Sequence, residues 1–265
     1  MTGGTGSAEI GVFGGSGFYA FLDEVVEVEV ATPYGPPSAP VALGTIADRR
    51  VAFLPRHGTQ HQLPPHQVDF RANAWALHDL GVHSVIGPCA VGSLRGDRRP
   101  GDVVVPDQLV DRTWGRPDTF ADGPSSPAEV GGTLHHLSFA DPYSEELRQV
   151  VLNAARQEHD PARVHDGGTV VVVQGPRFST RAESRWFRRM GWDLVNMTQH
   201  PEVALCRELG MAYAGMALVT DFDSGADDAP DVVPVTMAEV FRVLASNVEL
   251  TRRILVRAIP LVGAP

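Results

Sequence analysis

The sequence contains no lysine, so all 22 of its basic residues are arginines. This absence excludes Schiff-base catalysis and a Walker-type phosphate loop, because both need a lysine amine. Cysteine is scarce as well: Cys89 and Cys206 alone cannot form a disulfide framework or a CxxC metal site. No apolar run reaches the ~20 residues of a membrane span, and the net charge of −10 argues against nucleic acid or an anionic membrane as a partner. We therefore expect a globular, cytoplasmic protein.

Short β-branched segments alternate with helical patterns along the chain. Residues 144–158 carry apolar side chains at the spacing of one buried helix face, and residues 180–183 and 236–239 match the capping box that begins a helix. The predicted strands are 9–13, 51–54, 84–86, 103–105, 169–173, 194–196 and 213–219. This alternation predicts an α/β fold with a largely parallel sheet and helices on both faces.

The length of the chain favours one domain over two. We expect that domain to cover residues 1–265, with residues 1–8 disordered. Two stretches rich in Gly, Pro, Ser and Asp, residues 116–130 and 224–234, are typical of surface loops inside a domain.

Clusters of small or polar residues follow six of the predicted strands. They are residues 14–17, 55–61, 87–93, 174–180, 196–198 and 220–223. Because loops beyond the carboxyl ends of parallel strands lie at one edge of a sheet, we expect the clusters to converge. The glycines of the first cluster allow successive N–H groups to face one anion, and Arg56 beside His57 can hold a small oxyanion. Such a set is what a site for phosphate and a polar, aromatic ligand would need.

Single clusters leave alternatives open. Residues 15–20 also match the G-x-G-x-x-A pattern of a dinucleotide-binding turn. Cys89 fits a nucleophile or, by default, an inert buried side chain. Asp221 and Asp223 fit a metal pair, an acid–base pair or a loop that begins a helix.

Eight segments carry a resemblance in the same order along the chain, from about residue 10 to about residue 259. They are GGSG at 14–17, RHG at 56–58, VGSLR at 91–95, PGDVVVPDQLVDRT at 100–113, GPRFSTRAE at 175–183, VNMT at 195–198, PEVALCRELG at 201–210 and TDFD at 220–223. These segments resemble the methylthioadenosine phosphorylases, in the trimeric branch of the purine nucleoside phosphorylase family. The resemblance implies a single-domain fold with a mixed twisted sheet and helices on both faces. It also implies a homotrimer, with a hexamer as the alternative.

The resemblance implies a reaction in which inorganic phosphate is a co-substrate and no cofactor or metal takes part. Phosphate attacks C1′ of a 5′-substituted purine nucleoside and releases the base. The implied phosphate contacts are Ser16, Arg56, His57, Cys89, Ala90 and Thr198. The implied nucleoside contacts are Phe178, Ser179, Met197, Asp221, Asp223 and Met237, with His136 supplied by a neighbouring subunit. Family members commonly carry Thr or Ser where this chain has Cys89, so we expect one hydroxyl contact to phosphate to be lost.

The chemistry of the base supports a catalytic role for Asp221. An acid placed at N7 stabilises the departing purine and contributes roughly 10²–10⁴ in rate. Members that act on 6-oxopurines carry Glu and Asn where this chain has Ser179 and Asp221, and a carboxylate accepts from a 6-amino group but not from a 6-oxo group. Where the 6-oxopurine members carry a histidine toward the 5′-hydroxyl, this chain has Met237. The apolar thioether of methionine suits a 5′-methylthio group.

The predicted activity is therefore phosphorolysis of 5′-methylthioadenosine or a similar 5′-substituted adenosine. The alternatives are a phosphorylase of 6-oxopurine nucleosides or methylthioinosine, a nucleoside hydrolase and, further away, a dinucleotide-binding oxidoreductase.

Overall fold

The computed structural model describes residues 6–14, 23–121, 136–224 and 236–263 of the chain. Its described strands form one sheet of eleven strands. The strands are β1 (Ile10–Gly14), β2 (Asp23–Val28), β3 (Val41–Ile46), β4 (Arg49–Pro55), β5 (Ser84–Ser93), β6 (Val103–Val105), β7 (Gln108–Arg112), β8 (Val164–Asp166), β9 (Thr169–Val173), β10 (Leu194–Asn196) and β11 (Ala212–Asp221).

The sheet is mixed. Its main order is β2-β3-β4-β1-β5-β10-β9-β7, while β11 pairs with β5 and β6, and β8 pairs with β6. β1 runs parallel to β4 and β5, and β11 runs parallel to β5. In contrast, β2, β3 and β4 form an antiparallel meander, and β10 runs antiparallel to β5. The mixed sheet implied by the resemblance is confirmed. The largely parallel pairing predicted from the alternation is also confirmed, since six of the ten pairings between described strands are parallel. The four antiparallel pairings, two of which form the β2–β3–β4 meander, do not follow from that pattern.

Five helices are present among the described residues. They are α1 (Phe70–Asp79), α2 (Glu145–Glu158), α3 (Arg181–Arg189), α4 (Gln199–Glu208) and α5 (Met237–Ala258), with short 3-10 turns at Pro65–Gln67, Pro161–Arg163 and Ile259–Leu261. One hydrophobic core joins α2 and α5 to the sheet, and a second joins α1 and α4 to it. Because the neighbouring residues Tyr213 and Ala214 of β11 lie in different cores, the helices cover both faces, as predicted. No described helix is both long enough and apolar enough to cross a bilayer.

The predicted helix starts at residues 144 and 180 are confirmed. Ser144 precedes α2, and its Oγ accepts from the backbone N–H of Leu147 at 3.4 Å. Thr180 and Glu183 form both hydrogen bonds of a capping box at α3. The other predicted capping box covers residues 236–239, and α5 begins there, at Met237. The side chains of residues 237–239 lie outside the described part of the chain.

Two segments differ from their predictions. Residues 87–93 form the second half of β5 and not a turn after a short strand, because β11 pairs with β5 along its length. Ala8 was predicted to be disordered, yet it is buried and its N–H donates to the Leu80 carbonyl at 2.9 Å. Most of the two predicted surface loops, from residue 122 and from residue 225 onward, lies outside the described part of the chain.

Candidate active site

A cavity of about 460 Å³ opens where β4, β5, β10 and β11 end. Most of the predicted site residues line it: Arg56, His57, Cys89, Ala90, Phe178, Ser179, Met197, Thr198, Asp221 and Asp223. Ser16 lies outside the described residues, and so does the side chain of Met237, which begins α5. His136 is exposed and does not line this cavity.

Arg56 directly follows β4 and has only 3% of its surface exposed. Its Nε and Nη2 donate to the two carboxylate oxygens of Glu202 at 2.5 and 3.1 Å. Nη1 donates to the Pro88 carbonyl at 2.8 Å, and Nη2 donates also to the Phe13 carbonyl at 3.0 Å. Although burial opposes the charge, the Glu202 carboxylate raises the pKa of Arg56. The guanidinium is therefore charged and held in one orientation.

Glu202 lies in the first turn of α4 and is 1% exposed. Its Oε2 also accepts from the hydroxyl of Tyr213 on β11, at 2.9 Å. Gly87 on β5 leaves room for that hydroxyl, since a Cβ at this position would lie 1.9 Å from Tyr213 Oη. The helix α4, which carries Glu202, and the strand β11, which carries Tyr213, therefore both fix the carboxylate that pairs with Arg56.

His57 is neutral in this environment. Burial, together with the adjacent charge of Arg56, lowers the pKa of His57 to about 4. Its Nδ1 lies 2.8 Å from the Leu63 carbonyl oxygen. Because a carbonyl can only accept, the single ring proton is on Nδ1 and Nε2 carries a lone pair. His57 can therefore accept a hydrogen bond from a protonated phosphate oxygen.

Cys89 lies on β5 and contacts a buried amide. Gln199 Nε2 donates to Cys89 Sγ at 3.1 Å, and the Tyr143 hydroxyl donates to Gln199 Oε1. Burial raises the pKa of Cys89 to about 11. A thiol with such a pKa is protonated at neutral pH, so it is a poor nucleophile. The default interpretation of an inert side chain fits better than catalysis.

Asn196, the last residue of β10, fixes the turn that carries Met197 and Thr198. Its Oδ1 accepts from the backbone N–H groups of Thr198 and Gln199, each at 2.8 Å, and its Nδ2 donates to the Ala90 carbonyl at 3.0 Å. Thr198 is 5% exposed, and its Oγ1 lies 3.4 Å from Asn196 Oδ1. That hydrogen bond is long and weak, so the hydroxyl can exchange it for a shorter one to a ligand oxygen.

Arg116 supports the same turn. Its Nη1 donates to the carbonyls of Met197 and His200, each at 2.8 Å. Its Nε and Nη2 donate to the side chain and carbonyl of Gln174 at 3.1 and 2.8 Å. One arginine therefore joins the turn after β10 to the segment after β9, so that Met197 and the 176–179 side chains keep a fixed spacing.

A β-bulge aims Asp221 at the cavity. The register between β11 and β5 shifts between Val219 and Asp221, so that Asp221 pairs with Gly92. Bulges next to functional sites redirect the following side chain. A Cβ on Gly92 would lie 3.0 Å from Asp221 Oδ1. Glycine at this position therefore leaves the space that the carboxyl group occupies.

The Asp221 carboxyl group has a pKa close to neutral pH. Burial raises the pKa of Asp221 to about 6, with a smaller increase from Asp223 and an opposing effect of the Thr220 hydroxyl. Thr220 Oγ1 lies 2.7 Å from Asp221 Oδ2 and 3.2 Å from the Val91 carbonyl. Because this hydroxyl can donate to Val91 instead, it tolerates either protonation state of Asp221.

Two buried polar atoms beside Asp221 have no hydrogen-bond partner among the described residues. They are Asp223 Oδ2 and Ser179 Oγ. Burial also raises the pKa of Asp223, although nearby Ser184 opposes the shift. Buried polar groups are nearly always hydrogen-bonded in native proteins. Both residues line the cavity, so a polar ligand beside Phe178 would supply the missing partners.

Sequence reasoning did not identify Glu202, Gln199 or Arg116. Glu202 follows Pro201 in a first helical turn, where an acidic residue is explained by the helix dipole alone. Arg116 belongs to a segment whose composition is typical of a surface loop. The absence of lysine offered one signal for such residues, because a buried carboxylate in this chain cannot pair with a lysine and must accept hydrogen bonds from arginine or other donors.

Comparisons with known proteins identify the family of the chain. The family profile described as "Phosphorylase superfamily" matches residues 9–260. A purine nucleoside phosphorylase of Streptomyces coelicolor is 54% identical over 253 residues, which are 95% of this chain and 88% of the relative. An S-methyl-5′-thioadenosine phosphorylase of Mycobacterium tuberculosis is 53% identical over 250 residues, 94% of this chain and 87% of the relative.

A solved structure has the same fold. Methylthioadenosine phosphorylase from Schistosoma mansoni, in complex with adenine, superposes with a TM-score of 0.87 at 38% identity, over 96% of this chain and 92% of that one. Matches of this length and identity settle the family. The chain belongs to the phosphorylase superfamily, in the branch that contains the methylthioadenosine and purine nucleoside phosphorylases.

Proposed function

We propose that the chain is a pentosyltransferase that converts 5′-methylthioadenosine, or a similar 5′-substituted adenosine, and phosphate to adenine and the 5-methylthioribose 1-phosphate. One observation carries the proposal. A single cavity holds a carboxyl group with a pKa of about 6 and, among its other lining residues, an arginine, a neutral histidine and a threonine hydroxyl. Those two sets suit the two ends of the reaction, the leaving purine and the attacking phosphate.

Asp221 is the proposed acid at the purine. As the bond between C1′ and N9 breaks, its electron pair moves into the purine ring, and a proton from Asp221 at N7 neutralises the developing charge. A pKa of about 6 leaves Asp221 mostly ionised at pH 7. A bound purine excludes water and favours the protonated form. The proton lost by hydrogen phosphate on forming the sugar phosphate balances the one that adenine gains.

The phosphate end uses groups of different kinds. Arg56 supplies a fixed positive charge, Thr198 a hydroxyl, and His57 a lone pair for the protonated phosphate oxygen. Ser16 and the backbone of Cys89 and Ala90 complete the proposed set. Holding phosphate against C1′ contributes through proximity and charge. This chemistry calls for no cofactor, so we propose phosphate as the only co-substrate.

Asp221, Asp223 and Ser179 form the proposed adenine subsite. Carboxylate oxygens accept from the 6-amino group of adenine, whereas they repel the lone pairs of a 6-oxo group. Met197 is proposed to lie against the ribose, Phe178 beside the base and Met237 at the 5′ substituent. A second candidate is a 6-oxopurine phosphorylase, which is favoured by the 54% identity to the Streptomyces coelicolor protein named purine nucleoside phosphorylase.

The assembly and location are part of the same proposal. We propose a homotrimer, able to pair into a hexamer, in which His136 of each copy completes its neighbour's site. We also propose a cytoplasmic location. It is supported by Cys89 and Cys206, which are both free thiols, as is usual in a reducing compartment.

The deciding experiment measures free base released from methylthioadenosine, adenosine, methylthioinosine, inosine and guanosine, each with and without phosphate. We expect adenine from methylthioadenosine, only when phosphate is present and equally with or without a chelator. Faster release from inosine or guanosine would favour the second candidate. Equal rates without phosphate would replace the phosphorylase by a hydrolase.

A further inference from the structure

The Arg56–Glu202 ion pair constrains how Arg56 can meet a ligand. Among the described residues, four of the five guanidinium N–H groups already have acceptors inside the protein: both Glu202 oxygens and two backbone carbonyls. The fifth N–H is on Nη1. Arg56 therefore cannot offer the two parallel N–H groups with which arginine usually binds an oxyanion.

We propose that Glu202 is a positioning residue which, together with Tyr213, orients Arg56 so that one Nη1–H faces the phosphate subsite. The inference rests on the proposed function, because it concerns the same phosphate. Glu202 does not touch the substrates in this arrangement. It occupies the side of the guanidinium formed by Nε and Nη2, which leaves Nη1 as the part that can face the cavity.

The burial of the pair gives this orientation its strength. Glu202 is 1% exposed and Arg56 3% exposed, so neither can exchange its partner for water. Tyr213 donates to the Glu202 oxygen that also receives Nη2, and this third group restricts rotation of the carboxylate. Removing the carboxylate charge frees the guanidinium to turn and leaves its charge without a fixed partner.

The first experiment compares Glu202→Gln and Tyr213→Phe with the unmodified protein. The KM for phosphate is measured at saturating nucleoside, and the KM for nucleoside at saturating phosphate. We expect Glu202→Gln to raise the phosphate KM roughly tenfold or more, the loss typical of a charge-assisted hydrogen bond. Tyr213→Phe should raise it less. The nucleoside KM should change by less than about twofold, because the Asp221 end is untouched.

Glu208→Gln is the matched control. Glu208 lies on the same helix, and its carboxylate accepts from Thr119 Oγ1 and the Phe120 N–H at 2.7 Å each. This variant makes the same chemical change to a buttressing carboxylate of α4 that has no contact with Arg56. It should leave both KM values unchanged.

A double-mutant cycle separates positioning from general stability. If Glu202 acts through Arg56, then Glu202→Gln should have no further effect on the phosphate KM in an Arg56→Gln background. Binding is also followed without turnover, as the rise in Tm produced by inorganic phosphate. That rise should shrink in Glu202→Gln and Tyr213→Phe but not in Glu208→Gln. If Glu202→Gln does not fold, Tyr213→Phe carries the test alone.

Three results would overturn the inference: an unchanged phosphate KM, a lowered phosphate KM, or additive effects in the cycle. A lowered KM would mean that Glu202 only weakens the positive potential of Arg56. Failure of the proposed function gives a different result, since the unmodified protein would then release base at the same rate without phosphate.

Discussion

Burial shifts the pKa values of two titrating groups of the cavity in the directions that favour their uncharged forms. Asp221 has a pKa raised to about 6, and His57 has a pKa lowered to about 4. Sites that place an acid and an acceptor in different environments can run both roles near neutral pH. At the residue scale, these two shifts define the proton chemistry that the site can perform.

Asp221→Asn tests the acid. The proposed reaction needs Asp221 protonated, and that form is lost as pH rises through about 6. The kcat/KM of the unmodified protein for methylthioadenosine, at saturating phosphate, should therefore fall with rising pH. In the variant, kcat/KM should be roughly 10²–10⁴-fold lower, and it should no longer fall as the pH rises. Because an amide can donate to a 6-oxo group, the activity on inosine should fall less than the activity on methylthioadenosine. An equal loss of kcat/KM on methylthioadenosine and inosine, with the same fall at high pH as in the unmodified protein, would contradict the assignment.

The free energy of unfolding of Asp221→Asn serves as a control for correct folding, and the direction of its change can be predicted. A carboxyl group whose pKa is raised in the folded state contributes stability below its unfolded pKa and loses that contribution as pH rises through about 6. Asp221→Asn should therefore be at least as stable as the unmodified protein at pH 8, as measured by urea unfolding. A lower stability at that pH would show that the activity loss has a structural cause.

Cys89→Ser tests whether the thiol is inert. With a pKa of about 11 the thiol is protonated at pH 7, so it should resist iodoacetamide in the folded protein. Serine can still accept from Gln199 and adds a stronger donor to the cavity. We expect Cys89→Ser to keep its kcat and to lower the KM for phosphate. Inactivation together with a covalent adduct on Cys89 in the unmodified protein would instead indicate a nucleophile.

Much of the site could be predicted at this scale because strand ends converge in α/β folds. Lining residues follow β4, β9, β10 and β11 as expected, whereas those of the 87–93 cluster lie within β5. Glu202 could not be predicted in this way. Its role depends on a contact between α4 and residue 56, which are 146 residues apart in sequence, and no local pattern encodes that pairing.

At the element scale, the pairing of β5 with β11 shapes the base end of the cavity. β5 was predicted to end at residue 86, because Gly87, Pro88 and Gly92 are typical strand breakers. Tertiary pairing overrides that preference: β11 runs alongside β5 from Ser84 to Gly92. The glycines are then needed for close approach, Gly87 to Tyr213 and Gly92 to Asp221.

Gly92→Ala tests the bulge. Its Cβ would lie 3.0 Å from Asp221 Oδ1 and 3.1 Å from Asp223 Cα, so the strand end must shift. We expect kcat to fall at least tenfold, with a loss of ~1–3 kcal/mol in the free energy of unfolding from overpacking. Gly96→Ala is the matched control, since no atom lies within 4 Å of a Cβ there. Similar kinetics for both variants would show that the space at Gly92 is not needed.

Other elements escaped prediction for local reasons. β2 lies at the edge of the sheet and leaves Val25 and Val26 exposed, so it lacks the alternation of a half-buried strand. α1 has a start signal that was available in the sequence: Asp69 caps it by accepting from the Ala72 N–H at 2.9 Å. Its six consecutive buried residues, 72–77, hide the helical period.

At the scale of the whole molecule, one cavity of a single chain holds both ends of the proposed reaction, and His136 does not line that cavity. The segment after His136 is held on α4, where Arg207 donates to the carbonyls of Asp141 and Ser138 at 2.8 and 3.2 Å. His136 itself is exposed. In a ring of three identical subunits, one surface of each copy contacts a different surface of the next copy. The proposed trimer would therefore bring His136 of one copy to the next copy's 5′ subsite.

Subunit complementation tests this arrangement. His136→Ala should raise the KM for methylthioadenosine, and Asp221→Asn should lower kcat. Co-expressed in one cell, the two variant chains form mixed rings in which some sites combine an intact Asp221 with the neighbour's intact His136. In a mixed trimer of either composition, about one site in three is restored, because the ring contains a single contact of the required kind. We expect purified mixed rings, selected by two different tags, to exceed the activity of either variant at low substrate.

The control mixes each variant with a differently tagged copy of itself, which restores no site. Light scattering on the unmodified protein gives the number of subunits directly. If the mixed rings only average the two parental activities, His136 does not serve a neighbour. If the protein is a monomer that retains full activity, the site is complete within one chain, and the shared-site proposal fails while the phosphorolysis of the nucleoside stands.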